Sequence, residues 1–496
     1  MRRAGALLAL LVLAGCGSAP APSAPRPGAS TLTRTLADPD GDGSLQAAPG
    51  EPLAERTELA RASRPGPVIA TFAQLSDLHL RDEESPSRVP FLDRYGEPFD
   101  TAFRPHEALA AQVAAAAVRA INRQRPDAVF VTGDLADNGQ RNEIAWATRV
   151  LDGGQVEPDS GGGGYEGVQS ADDPDPFYYR PDVDPPRHRG LLAAAQRSFA
   201  SPGLRAPWFA AAGNHDVLLQ GELAPSARTD AIATGDRLIT SLDPRAKLPS
   251  QASTSEAVDA LLGAARGGRS ERVPADAGRG SLSGAELVRA LARGRATRTP
   301  DRLDYAVDVG ASVRAVVLDV VDRAGGAGAV TGAAQLAWLR AQLAAAGSRG
   351  VVVLSHQPLP EAVLEVLDAA PRVVAAIHGH THRNALTPRG RYWIVSTASL
   401  ADTPMQSRML RLRRAAAGGY VLETWMVDQD GRGLAATARE LAFLDAQGGR
   451  PGGYAGAPAD RNARLYLPRR GRPGGPRRPA RRPGDPSSRA SGSASG

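Results

Sequence analysis

A chain of 496 residues with 42% hydrophobic side chains is long enough for one large domain or two to three ordinary ones, and is too apolar to be disordered throughout. Its formal net charge of +6 is unevenly placed: residues 446–496 carry eleven Arg against Asp460 and Asp485, so residues 1–445 are mildly acidic. The basic character therefore belongs to a tail and gives no ground for a specific nucleic-acid or protein partner of the body. Cys16 is the only cysteine, which excludes an internal disulfide framework.

The amino terminus, "MRRAGALLALLVLAGCGS", places Arg2 and Arg3 before an apolar run from Ala4 to Ala14. That run is too short to span a bilayer and reads as a signal peptide over residues 1–16. Its close, Leu13-Ala14-Gly15-Cys16, resembles the lipobox of bacterial lipoproteins. The resemblance implies acylation of Cys16, a mature chain that starts there, attachment to the cell membrane through lipid, and an extracytoplasmic location. Residues 17–65 are rich in Pro, Ala and Gly and read as a linker. Within them "DPDGDGSL" imitates the start of a calcium loop through Asp38, Asp40 and Asp42. Pro49 stands where a bidentate Glu should close the site, so a polar turn is the reading.

From residue 66 to 445 short apolar runs alternate with amphipathic Ala/Leu/Arg segments, the pattern of an α/β domain. Strands are predicted at 68–75, 128–132, 208–212, 313–319, 351–354, 373–377, 393–396 and 420–427. Helices are predicted at 106–123, 142–151, 191–199, 284–292, 333–345 and 361–368. Two long insertions, about 153–190 and about 217–305, interrupt this rhythm. The first holds Phe177, Tyr178 and Tyr179 in a Pro-rich stretch, which reads as a lid on the substrate side. Residues 446–496 read as a disordered Arg/Pro/Gly-rich tail whose charge suits contact with anionic lipid or cell-wall polymer.

The ends of the predicted strands carry the chemistry. Asp77-x-His79 follows the first, Gly133-Asp134 the second, and Gly213-Asn214-His215-Asp216 the third. Ser355-His356 and His378-Gly379-His380-Thr381-His382 follow two later strands. Six of the eight histidines lie in these blocks, and only His106 and His188 lie outside. His378 reads as structural, His106 as the surface start of a helix, and His188 as a loop residue near the aromatic triple. Carboxylate, amide and imidazole donors without thiolate suit borderline or hard divalent ions. They exceed what one ion needs, and two ions bridged by a carboxylate would use them all. Such a pair, about 3.5–4 Å apart, serves displacement at phosphorus.

In that order the five blocks closely resemble the calcineurin-like metallophosphoesterase superfamily. The resemblance implies a two-sheet β-sandwich flanked by helices, and hydrolysis of a phosphate-ester substrate by a metal-bridging hydroxide. It implies two divalent ions, with Mn, Fe or Zn the best matches. Asp77, His79 and His382 would hold one ion, Asn214, His356 and His380 the other, and Asp134 would bridge them. His215 would face the substrate as proton donor to the leaving oxygen, and Asp216 would orient its ring. Purple acid phosphatases carry a Tyr three residues after the Gly-Asp aspartate, whereas this chain has Asp137. The texture of "QLSDLHL", "TGDLADNG" and "LSHQPL" looks more like the phosphodiesterase branch. The alternatives are a phosphomonoesterase or nucleotidase on the same site, or a surface binding protein that uses the fold as a scaffold and the basic tail for adhesion. No ligand position and no His215 is lost, which favours an enzyme.

The lipobox reading makes one outcome specific: in the native host Cys16→Ser should abolish incorporation of labelled fatty acid. Equal labelling of the substituted and parent proteins would refute it.

Overall fold

The structure is a computed structural model; it describes residues 30–95, 102–243, 267–448 and 454–469, with residues 260 and 263. Cys16, the signal-peptide segment and most of the basic tail lie outside the described residues. Among the described residues no helix is long and apolar enough to cross a membrane.

Thirteen strands build two large sheets. In chain order they are β1 (Ala54–Arg56), β2 (Pro65–Leu75), β3 (Ala128–Thr132), β4 (Trp208–Ala211), β5 (Tyr305–Val309), β6 (Val313–Val317), β7 (Gly350–Leu354), β8 (Val373–His378), β9 (Ala385–Arg389), β10 (Tyr392–Ser396), β11 (Gln406–Ala415), β12 (Tyr420–Asp428) and β13 (Ala463–Leu467). One sheet has seven strands in the order β1-β13-β12-β11-β2-β3-β4, and the other six in the order β5-β6-β7-β8-β10-β9. β2, β3 and β4 run parallel to one another, as do β6, β7, β8 and β10. Parallel strands leave their carboxyl ends on one edge, which is where polar residues gather in such sheets.

Alternation along the strands assigns each side chain to a layer. Val352 and Leu354 of β7, with Ala375 and Ile377 of β8, enter the larger core together with Phe72, Val129 and Leu410 of the other sheet. Val351 and Val353, one residue out of phase, join a second core with Leu339 of helix Ala333–Ala345 and with Val363 and Leu367 of helix Glu361–Asp368. On the far face of the seven-stranded sheet lies helix Ala110–Gln124, which buries Val113, Ala117, Val118 and Ile121. This is the sandwich with flanking helices expected from the sequence.

The terminal segments depart from expectation. Residues 54–56, read as linker, and 463–467, read as disordered tail, are strands that pair in parallel, Ala54 opposite Ala463. Thr31 is tied in as well: its hydroxyl donates to the Met426 carbonyl at 2.9 Å. In "ARLYL" the alternation places Ala463, Leu465 and Leu467 in the core, a periodic signal that five residues amid Arg and Pro do not make conspicuous. Further elements were not predicted, among them β5, β9, β11 and helix Leu434–Gln447. β11 reads "QSRMLRLRRA", yet Arg408 is fully buried, donating to Thr397, Thr424, Asn384 and three carbonyls. Burial pushes its guanidinium down to about 9. The segment predicted as helix 191–199 is helical only to Ala195 and then forms a strand, Phe199–Ser201. His106 precedes a short 3-10 turn as expected but is buried, not on the surface, with Nε2 2.8 Å from the Ala401 carbonyl. The Asp38–Gly43 stretch is the polar turn expected, with the Asp38 carboxylate accepting from the amides of Asp42 and Gly43.

A chain ending at residue 446 lacks β13 and leaves the edge of β12 bare. Leu465 and Leu467 alone represent about 1.5–3 kcal/mol each of buried side chain. Thermal unfolding of chains ending at 469 and at 446 should show a large fall in Tm, or insolubility, for the shorter one; equal Tm values would make the strand dispensable.

Candidate metal centre

Each sequence-predicted ligand lies just beyond a strand. β2 leads into Asp77 and His79, β3 into Asp134, β4 into Asn214, β7 into His356, and β8 into His380 and His382. All seven converge, although they come from two different sheets. Backbone hydrogen bonds set the first loops against each other: His79 N–H donates to the Asp134 carbonyl at 2.9 Å and Asp77 N–H to that of Gly133 at 3.2 Å.

Five of the seven, Asp77, His79, Asp134, His380 and His382, have φ between 44° and 65°. Asp and His tolerate this left-handed region better than most side chains, but it still costs energy that the fold must supply. The glycines of the motifs answer a different need. A Cβ on Gly133 would stand 2.6 Å from the His356 ring, and one on Gly379 would strike Ser76 and the Asp77 carboxylate. The two sheets meet too closely there for any side chain.

The donor atoms fall into three groups, of which the one of His79, Asp134 and His215 overlaps the other two. Asp77, His79 and His382 present oxygen and nitrogen within 4.8 Å of one another, as do Asp134, His356 and His380. Nε2 of His79 and of His382 are 3.2 Å apart, and His382 Nε2 lies 3.4 Å from Asp77 Oδ1. In the second group His356 Nε2 lies 3.0 Å from Asp134 Oδ2, 3.0 Å from Asn214 Oδ1 and 3.2 Å from His380 Nδ1. Asp134 Oδ2 is also 3.7 Å from His79 Nε2, which joins the groups. Donors about 2.0–2.2 Å from a common ion stand roughly 3 Å from each other, so both groups fit a divalent cation.

Electrostatics bind the cluster together. Burial opposes ionisation of Asp134, but His356, His215 and His79 hold its carboxyl below the usual carboxylate range. Burial likewise opposes charge on His356 and His382. The Asp134 and Asp77 carboxylates push His356 up to about 9, and Asp402 and Asp77 push His382 up to about 10. His380, buried beside His356, falls to about 3. Protons and metal ions compete for the same lone pairs.

A second layer fixes which nitrogen faces inward. His356 Nδ1 donates to the Thr132 carbonyl at 2.8 Å, His79 Nδ1 lies 2.9 Å from Asp137 Oδ1, and His382 Nδ1 lies 2.5 Å from Asp402 Oδ2. Each carboxylate is held in turn. Arg81 donates to Asp137 through Nε and Nη2, and Arg104 Nη2 lies 2.7 Å from Asp402. Arg81 and Arg88 also converge on the buried Glu107. None of these supporting roles follows from the sequence blocks. Arg81 lies two residues past the Asp-x-His motif, whereas Asp402 lies twenty residues past the last His with no motif around it. Asp137, conspicuous in sequence only because a Tyr is missing there, is the residue that orients His79.

His215 lies in the cleft, whereas the Asp216 carboxylate is not bonded to its ring. Nδ1 of His215 lies 2.7 Å from the Asp137 carbonyl, which orients the ring, and His215 lines the same cleft as His79, Asp134, His380 and His382. The Asp216 carboxylate is instead consumed by the backbone, accepting from Leu135 at 2.7 Å, Ala136 at 3.0 Å and Gly213 at 2.8 Å. It pins the Asp134 loop to the Asn214 loop. The remaining histidines hold no place in the cluster: His378 Nδ1 is 3.0 Å from the Gly379 carbonyl, and His188 stands 3.6 Å from Glu440. The aromatic triple is also elsewhere. Tyr178 packs with Phe103, Val168, Leu238 and Val273, and the Tyr179 hydroxyl is bonded to the Pro186 carbonyl.

A family model described as calcineurin-like phosphoesterase matches residues 70–384. The chain belongs to that family. Among solved structures it is similar to a dimetal phosphatase from Danio rerio, at 15% identity over 73% of this chain and 97% of that one, with a TM-score of 0.40. It is also similar to a purple acid phosphatase from yellow lupin (Lupinus luteus) seeds, at 11% identity over 79% of this chain and 55% of that one, with a TM-score of 0.33. No curated protein matches it. The chain is thus a metallophosphoesterase, and its Asp and His clusters are consistent with a dinuclear centre.

Three substitutions should separate the layers of this phosphoesterase site. Asp134→Ala should lose both ions on elemental analysis; Asp137→Ala should keep the fold but weaken metal affinity about 10–100-fold. His215→Ala should keep both ions and lose about 10²–10⁴-fold in kcat. Full metal content in Asp134→Ala, or full activity in His215→Ala, would contradict the assignments.

Proposed function

We propose that this phosphoesterase is a phosphodiesterase that acts outside the cytoplasm with two divalent ions drawn from Mn, Fe and Zn. The observation that carries the diester preference is the charge of the cleft wall. Its two arginines are already committed, Arg81 to Asp137 and Glu107, and Arg104 to Asp402. Glu222 adds a further carboxylate. Beyond the ions, the wall offers no surplus positive charge for the second negative charge of a monoester, whereas a diester carries only one.

Asp77, His79, Asp134 and His382 would hold one ion, and Asp134, Asn214, His356 and His380 the other. When bound, such ions supply a nucleophile at neutral pH and offset charge that develops at phosphorus. The protein's own contribution is positional. With Nδ1 of His215 facing the Asp137 carbonyl, Nε2 is the ring atom left to pass a proton to the departing oxygen. The network of Arg81 with the buried Arg88 and Glu107 keeps the ring of His79, and through it the cluster, from rotating.

Location rests on the amino-terminal signal and on Cys16; the Arg-rich tail would add Coulomb contact with an anionic surface. An anchored, outward-facing enzyme meets lipid headgroups and glycerol-phosphate polymers, which are diesters. Protein spanning residues 30–469, loaded with Mn, should show a higher kcat/KM for bis-p-nitrophenyl phosphate than for p-nitrophenyl phosphate. The reverse order would sink the diester preference and leave the dinuclear hydrolase standing.

A further inference from the structure

The loop that carries His215 folds back on itself. Asn214 Nδ2 donates to the Gly221 carbonyl at 3.0 Å, and Gly221 N–H donates to the Leu218 carbonyl at 3.2 Å. Gly221, at φ 69°, packs so closely that a Cβ there would strike both the His215 ring and the Asn214 side chain. Gln220, just before it, is held in the left-handed region at φ 51°, with its amide and its Nε2 both donating to Asn138 Oδ1. A non-glycine residue kept in that region beside a catalytic cleft marks a conformation fixed by its surroundings. The next residue, Glu222, has its carbonyl accepting from Gly326 at 2.7 Å, and its carboxylate is hydrogen-bonded by the backbone of Ala327. Gln220, Glu222 and Ala327 line the cleft together with His215.

Glu222 differs from every other charged group in that wall. Arg81, Arg104, Asp134 and Asp137 each have an oppositely charged partner, whereas among the described residues no arginine pairs with Glu222. Burial raises its carboxyl above the ordinary glutamate value, and the nearby His215 partly offsets that. With His215 serving the departing oxygen as proposed above, the group bonded to that oxygen faces the part of the wall that Glu222 shares with His215.

We infer that Glu222 selects the leaving group: it accepts a hydrogen bond from a hydroxyl or ammonium on the alcohol being released and rejects esters whose released alcohol is anionic. This rests on the hydrolase reading above and adds the chemical class of the alcohol to it. Hydrogen bonds to an ionised carboxylate are stronger than neutral ones, and an uncompensated carboxylate repels a second anion in a partly buried cleft. Glycerol-like and amino-alcohol esters fit this rule, whereas esters with further phosphate or carboxylate on the leaving side do not.

The test uses the full chain loaded with Mn and three methyl aryl phosphodiesters whose aryl group carries a para aminomethyl, hydroxymethyl or carboxylate substituent. Each rate is divided by that of the uncatalysed reaction. For the parent protein the ranking should be aminomethyl, then hydroxymethyl, then carboxylate. In Glu222→Gln, with Mn content measured alongside, kcat/KM for the aminomethyl ester should fall about tenfold while that for the carboxylate ester rises. A purely structural role would instead lower all three by one factor, and that result overturns the inference, as does a parent protein with no ranking by charge. Should Glu222→Gln not fold, the same ranking read on the parent and on Glu222→Asp decides. Failure of the parent to hydrolyse any of the three overturns the hydrolase reading and this inference with it; turnover without charge ranking overturns the inference alone.

Discussion

The contact between Asp134 and His356 is the constraint on which the rest depends. One residue follows a strand of the seven-stranded sheet and the other a strand of the six-stranded sheet, yet a carboxylate oxygen and an imidazole nitrogen stand 3.0 Å apart. Two sheets that pack face to face are normally separated by about 10 Å of side chains. At this edge the filling is dispensed with, and glycines allow the backbones to approach. The carboxylate that closes the gap also stands 3.7 Å from His79 Nε2, which links the donor groups. Registration of the sheets and assembly of the site are therefore one event.

Maintaining that contact requires charge to be buried, and buried charge destabilises unless it is paired and hydrogen-bonded. The arrangement answers with a graded series. Imidazoles face the centre, carboxylates Asp137 and Asp402 stand behind two of them, and guanidiniums of Arg81 and Arg104 stand behind the carboxylates. Each layer is held by the one outside it. Asp216 belongs to this scaffolding too, through three backbone amides instead of a side chain. Elsewhere the same solution recurs without a site: Arg408 crosses the core of the sheet with every neighbour an acceptor.

Much of this was legible in the sequence, for physical reasons that differ by region. Strand Ala128–Thr132 is buried along its whole length, so four apolar residues and a Thr followed by Gly-Asp left little choice. The ligand blocks were legible because metal donors of this kind belong at strand ends, in a chain where histidine is scarce. What composition reads poorly is a polar residue satisfied inside. β11 was missed because its arginines suggest a surface, and one of them is the most thoroughly hydrogen-bonded side chain of the core. Asp216 was assigned to His215 on the family resemblance, whereas its carboxylate is taken up by the backbone amides of Leu135, Ala136 and Gly213. The aromatic triple was read as part of a lid because sequence does not distinguish an aromatic cluster that packs on itself from one that faces a cleft.

The ligand set spans from Asp77 to His382, and the strand bearing Asp77 and His79 is flanked on one side by β3 and on the other by β11. During synthesis the first three ligand loops emerge with that flank unpaired and with none of the histidines of the second sheet yet made. A chain released early therefore holds no complete coordination sphere. Contacts this distant in sequence are slow to form and are formed late. Metal capture thus reports that the whole sandwich has closed, so an ion in place acts as a seal on a finished molecule and is denied to a half-made one.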